Sequence, residues 1–276
     1  MTVIENKTFD EERALYGSEG VKAVNCRFDG PADGESAFKE SKDIETEDCY
    51  FNLRYPFWHT HTLKITDCEM TELCRAALWY SDNITIESTK LHGIKALREC
   101  DNISIADSGI VSPEFGWFSK NITMTKTEAE GEYFMLRAEN LTFTDVTLHG
   151  KYSFQYIKNC TFENCSFDTK DAFWHAENVV VKNSVIKGEY LAWYAKDITF
   201  IDCRISGTQP LCYCENLKMI NCTLEEADLA FEKSTVEADI TTPVISIKNP
   251  RSGYISMPSY GELIMTEDTA CKINIR

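Results

Sequence analysis

Stepping by 19 residues from Asn83 meets Asn102, Asn121, Asn140, Asn159, Asn178, Asp197 and Asn216. Self-similarity at a fixed short period is the mark of a solenoid, in which each repeat is one unit stacked on the next. Asp43 and Thr62 extend the series toward the N-terminus, with two extra residues before Asn83. Each anchor is followed by an apolar residue (Ile84, Ile103, Ile122, Leu141, Cys160, Val179, Ile198, Leu217). Two residues further on comes a second one (Ile86, Ile105, Met124, Phe143, Phe162, Val181, Phe200, Met219). The residue between them is usually Thr, Ser or Lys. That alternation predicts a short strand with an apolar inner face.

Five residues after the anchor, Asp48, Asp67, Asp107, Asp145, Asn164, Asn183, Asp202 and Asn221 predict a sharp corner, because Asn and Asp tolerate left-handed backbone. A small residue follows, then a second apolar one (Leu91, Ile110, Leu148, Phe167, Ile186, Ile205, Leu224), which predicts a second short strand. A Gly or charged turn and a third, aromatic-rich strand lead to the next anchor. Three strands and three corners in one repeat leave no room for a helix. The expected fold is all-β: a single-stranded right-handed parallel β-helix of about 10 coils of 19 residues. Stacked coils lie about 4.8 Å apart, so the Asn anchors are expected to form an amide ladder and the coils a rod on the order of 50 Å long.

The expected organisation is one domain over residues 1–276, with coils at 21–235 between two caps. Residues 1–20 include Asp10 to Gly17, read as a short closing helix, and 236–276, punctuated by Pro243, Pro250 and Pro258, as an irregular β cap. Six of the twelve cysteines (Cys26, Cys49, Cys68, Cys165, Cys203, Cys222) share one small inward position, where a thiol acts as a small hydrophobe. No paired Cys-x-x-Cys occurs, so neither a metal nor a cofactor is expected, and the thiols are expected reduced.

The third strand concentrates the aromatic residues. Its versions include Phe57-Trp58-His59, Leu78-Trp79-Tyr80, Leu97-Arg98-Glu99, Phe154-Gln155-Tyr156, Phe173-Trp174-His175 and Ala192-Trp193-Tyr194, and all five Trp residues hold the middle place. Small residues two beyond the Trp position (Thr60, Ser81, Cys100, Ser119, Ala138, Ala176, Ala195, Cys214) point inward. Strict alternation then buries the Trp column and leaves Phe57, Leu97, Phe154 and Phe173 partly exposed. The exposed ladder reads His59, Tyr80, Glu99, Phe118, Arg137, Tyr156, His175, Tyr194, Tyr213 and Glu232. The opposite parity would expose the Trp stripe instead.

The net charge of −16 argues against nucleic acid and anionic membranes as partners. No apolar run approaches the roughly 18 residues of a membrane span, and the N-terminus lacks the pattern of a secretory signal, so a cytoplasmic location is expected.

With its Asn-led coil and Asn/Asp corner over roughly residues 20–235, the chain resembles the pectin-lyase-like superfamily of right-handed parallel β-helices. Within it, the chain looks like an uncharacterised bacterial domain family of unknown function. The resemblance implies an architecture and, by fold-level analogy, an acidic polysaccharide as the first ligand to consider. The superfamily's catalytic patterns are absent: there is no polygalacturonase-like Asn-Thr-Asp, Asp-Asp and Gly-His-Gly set, no Gln-Asp-Thr-Leu, and no acidic triplet for calcium. No catalytic residue carries over.

Two readings of function follow. In the first, the ladder binds an oligosaccharide through His59, Tyr80, Glu99, Phe118, Tyr194, Tyr213 and Glu232. If it is also a lyase or hydrolase, Arg137 would neutralise a uronate and Tyr156 or His175 would act as base. In the second, the chain is a non-catalytic scaffold whose aromatic face meets a protein partner or another copy of itself.

Overall fold

The repeated apolar pairs form a parallel stack of short strands. This is seen in a computed structural model of the chain, which describes residues 1–30, 35–266 and 268–276. The fold is all-β, a single-stranded right-handed parallel β-helix, and its coils number about 14. By its contacts the chain divides into two compact units, Met1–Glu139 and Asn140–Arg276.

In the first unit the main strands include Lys42–Glu47, His61–Thr66, Asp82–Glu87 and Asp101–Ala106. Ile84 pairs with Ile103 and Ile86 with Ile105, one period apart. Asp82 pairs with His61, a step of 21 that absorbs the two extra residues. In the second unit the main strands include Lys158–Glu163, Glu177–Lys182, Lys196–Ile201 and Leu217–Glu225, and Cys160 pairs with Val179, which pairs with Ile198. These inward columns are fully buried, and buried rings stack inside the coils, as Phe28 does on Phe51 at 4.8 Å.

Both corners turn through left-handed backbone. Every Asn anchor from Asn83 to Asn216, with Asp197, has φ between 52° and 58°, and the second-corner Asp and Asn residues from Asp48 to Asn221 lie between 48° and 56°. Asn supports that conformation at less cost than other L residues and hydrogen-bonds locally. The expected amide ladder is present: Asn102 Nδ2 donates to Asn83 Oδ1 at 2.7 Å in the first unit, and Asn178 Nδ2 to Asn159 Oδ1 at 2.8 Å in the second. All twelve thiols are free and eleven are buried.

The coil count exceeds the expected ten because the end coils lack the Asn anchor. Residues 1–20 form strands Thr2–Glu5 and Thr8–Phe9 in place of a cap, and the stretch from Asp10 to Gly17 is a turn rather than a helix. Its amides donate to the next coil, Arg13 to the Glu35 carbonyl and Leu15 to that of Ala37, so no i to i−4 bonds form. Residues 236–276 likewise keep coiling: Thr235–Ile240, Ser252–Met257 and Ala270–Ile275 pair in parallel at shorter steps.

Candidate functional site

The aromatic segment is mostly a turn, not a third strand. Among the described residues, only Leu78–Trp79 and Leu97–Arg98 pair as two-residue strands there. The ladder residues are left-handed, with φ between 51° and 61° from His59 to Tyr213, and so are Phe154, Phe173, Ala192 and Leu211 two places earlier. Left-handed residues at alternate positions break the period-2 alternation of a strand. Four consecutive side chains therefore run buried, half-buried, exposed and buried.

Two expectations are corrected by that geometry. Phe57, Leu97, Phe154 and Phe173 are fully buried, and all five Trp residues are half-buried. From His59 to Tyr194 the ladder faces solvent as expected, Tyr213 is half-buried, and the small column beneath is buried. Glu232 is displaced: the coil before it is one residue longer, so Ser234 answers Cys214 and Lys233 takes the exposed left-handed place. Glu232 joins the Trp column instead. There it accepts a hydrogen bond from the Tyr213 hydroxyl at 3.1 Å and pairs with Lys248 at 3.1 Å.

In the second unit, four ladder rings form one unbroken stack. Tyr156 lies 4.7 Å from His175, His175 5.0 Å from Tyr194, and Tyr194 4.9 Å from Tyr213, with planes within 12° of parallel. His175 and Tyr194 are covered on both faces, so only their edges, with ring nitrogen and hydroxyl, meet solvent. Trp174 and Trp193 stack beside them at 5.5 Å. Each indole N–H donates to a carbonyl one coil on, Trp174 to Tyr190 and Trp193 to Gln209, which fixes the ring orientation. Partial burial pushes the His175 pKa below its usual value, so its imidazole is neutral at pH 7. Burial, and then the bond to Glu232, push Tyr213 up to about 12. Asp171, where the same turn begins, is buried, and desolvation raises its pKa. A shallow groove of about 600 Å³ lies on another face, among Asn178, Thr199, Asn216, Lys218 and Glu237, away from the ladder.

The first unit arranges its aromatic face differently. Trp58 stacks on Trp79 at 4.9 Å, and the Arg98 guanidinium lies over both Trp79 and Trp117, at 5.0 and 5.7 Å. Glu99 pairs with Arg98 at 3.2 Å, and with Phe118, Asp101 and Lys120 they line a shallow groove of about 440 Å³. Tyr80 and Phe118 are exposed, as is Arg137. Of the three candidate catalytic residues, Arg137 belongs to this unit, while Tyr156 and His175 are brought together in the other.

His59 bonds Glu40 through Nδ1 at 2.5 Å and lies against His61, whose Nδ1 bonds Asp82 at 2.5 Å. Glu40, His61, Asp82 and Arg98 did not enter the sequence-derived site. The available signal was the pair His59-x-His61. Among the described residues no group of three His, Cys, Asp or Glu side chains is arranged to hold a metal ion, and no helix is long and apolar enough to cross a membrane.

No curated protein sequence matches the chain. Among solved structures it is similar to a surface adhesin of Streptococcus pneumoniae, PfbA, at 9% identity and TM-score 0.48, over 95% of this chain and 86% of that one. It is also similar to the catalytic domain of a GH87 α-1,3-glucanase, at 10% identity and TM-score 0.34, over 99% of this chain and 63% of that one. A third is the A-module of the Azotobacter vinelandii mannuronan C-5 epimerase AlgE4, at 8% and 0.30, over 99% and 87%. Residues 2–276 match the profile of a family described as protein of unknown function DUF3737, and the chain belongs to that family.

Proposed function

We infer that the ladder of the second unit binds an extended, uncharged oligosaccharide, lying along the stacking direction and held by side-chain edges. The observation that carries this is the four-ring stack from Tyr156 to Tyr213. With its faces consumed, it offers a row of phenol hydroxyls and imidazole nitrogen, one group per coil, about 4.8 Å apart. A chain of sugar rings laid along that row presents its hydroxyls at a comparable repeat. Trp174 and Trp193, half-buried alongside, supply an apolar floor.

Charge favours a neutral sugar there over a uronate. The net charge is −16, His175 is neutral at pH 7, and at the Tyr213 end Glu232 is paired with Lys248, with Lys233 exposed in the next ladder place. In the first unit, Arg137 and Glu99 carry charge on the same face and would serve a charged sugar instead. The reading is one of binding. A general base needs a second group to orient it, and the His175 ring makes contacts on both faces but no side-chain hydrogen bond among the described residues.

A glycan array of neutral and acidic oligosaccharides, probed with wild type and with the double variant Tyr156→Phe/Tyr194→Phe, tests this. The variant keeps the stack and deletes two hydroxyls. Wild type is expected to retain neutral glycans and the variant to lose at least roughly tenfold in affinity, the size expected when a hydrogen-bonding site loses its partners. An array with no wild-type binding, or binding indifferent to the double variant, overturns the reading. Arg137→Ala separates any charged-sugar site of the first unit from it.

A further inference from the structure

We propose that His59 and His61 form an open, two-histidine site for a divalent transition-metal ion of the zinc class. The residue between them sets the geometry. Thr60 is fully buried, its amide bonded to Ser81 Oγ at 3.0 Å and its hydroxyl donating to the Phe38 carbonyl at 2.9 Å. The flanking side chains therefore both emerge at the surface, His59 from a left-handed residue and His61 from the first residue of strand His61–Thr66.

Each ring is then fixed by a carboxylate. Nδ1 of His59 lies 2.5 Å from Glu40 Oε2, and Nδ1 of His61 2.5 Å from Asp82 Oδ2. An ionised carboxylate can only accept, so each Nδ1 carries the hydrogen and the lone pair of the neutral ring sits on Nε2. A histidine tied to a carboxylate through one nitrogen and free at the other is the arrangement that orients metal-ligating imidazoles. Neither Nε2 has a hydrogen-bond partner among the described residues.

The two carboxylates lie on opposite sides. Glu40 belongs to the coil before the histidines, 19 residues earlier, and Asp82 to the coil after, 21 residues later. The two Nδ1 atoms are thus held toward different neighbouring coils, and each Nε2 is left clear of its ring's carboxylate. The ring centroids are 4.8 Å apart, with the planes at 74°. Two imidazoles on one tetrahedral ion, at Zn–N distances of about 2.0–2.1 Å, have centroids about 5 Å apart. The rings thus already stand at the separation a shared ion requires. No third His, Cys or carboxylate among the described residues joins them. The remaining coordination positions fall to water or to an incoming ligand, the arrangement of an open site rather than a closed structural one.

The test is isothermal titration calorimetry of zinc chloride into EDTA-treated, dialysed full-length protein, with bound zinc counted by elemental analysis. The expected result is one ion per chain in wild type and none in His59→Asn/His61→Asn. The single variant Glu40→Gln keeps the stoichiometry and weakens affinity about 10–100-fold, because it loosens the orientation without removing a ligand. Cobalt(II) in place of zinc reports the same site by its visible absorption. Glu40 and His59 are exposed and His61 is half-buried, and circular dichroism confirms that each variant is folded before titration. Absence of uptake by wild type overturns the proposal. So does uptake that survives in the double variant, which places the ion on other groups.

Discussion

The imidazole of His175 lies between two phenol rings, 4.7 Å from Tyr156 and 5.0 Å from Tyr194, nearly parallel to both. It exposes an edge and hides its faces. That arrangement makes the ladder both a structural stack and a hydrogen-bonding surface, and the two roles separate by substitution. Tyr194→Ala removes contacts to His175 and Tyr213 and is expected to cost about 1–3 kcal/mol, at 0.5–1.5 per aromatic pair. Tyr194→Phe keeps both contacts and should leave stability unchanged within about 0.5 kcal/mol. Urea unfolding of the two variants checks this. Equal losses would mean that the hydroxyl, not the stack, stabilises the fold.

The His175 environment also predicts a pH dependence. Burial lowers its folded pKa below the 6.5 of the free side chain. Above that value both folded and unfolded chains carry a neutral ring, and the group contributes nothing to the pH dependence. As pH falls through 6.5 toward the folded value, the unfolded chain takes up the proton first and stability declines. Thermal unfolding followed at pH 7.5 and pH 5.5 should show a larger drop for wild type than for His175→Gln. A variant whose drop matches that of wild type would show that the decline comes from other groups.

The Asn ladder makes a sharper prediction, because it combines backbone and side chain at one position. Asn178 sits at φ 54° and donates to Asn159 Oδ1 at 2.8 Å. Asn178→Gly removes the hydrogen bond and keeps the permitted backbone. Asn178→Ala removes the bond and adds the left-handed penalty of about 1–2 kcal/mol. The Ala variant should therefore be less stable than the Gly variant by roughly that amount, the reverse of the order expected within a helix or strand. Chemical denaturation of the pair decides it.

That position also explains why the architecture was readable from the residues and the site was not. An exposed left-handed corner restricts residue type, so Asn recurred every 19 residues from Asn83 and the period could be counted. The coils at the two ends turn without that Asn, and residues 1–20 and 236–276 passed as caps. The aromatic segment misled because alternation assumes extended backbone, whereas His59, Tyr156 and their equivalents are left-handed. Phe154 consequently points inward and Trp174 stays half-exposed, the opposite of the strand expectation for both. Glu40 and Asp82 gave no signal at all. Their meaning lies in the histidines one coil away, and a side-chain partner across stacked coils is a property of register, with its 19- and 21-residue steps, rather than of local sequence.

The cysteines extend the same reasoning from position to reactivity. The thiols occupy inward places, and burial pushes Cys74 and Cys165 up to about 11 and Cys100 and Cys212 up to about 12. A thiol is nucleophilic as the thiolate, so these groups are inert at neutral pH by protonation as well as by enclosure. Cys271, in the strand Ala270–Ile275, is half-buried and is the most accessible of the twelve, though partial desolvation raises it too, to about 11. Ellman's reagent at pH 8 should therefore react with no more than one thiol per native chain, slowly, and Cys271→Ser should abolish that reaction. In guanidinium chloride all twelve should titrate. Several thiols reacting together in the native chain would require the coils to open in buffer, which would contradict the burial of the column from Cys26 to Cys222.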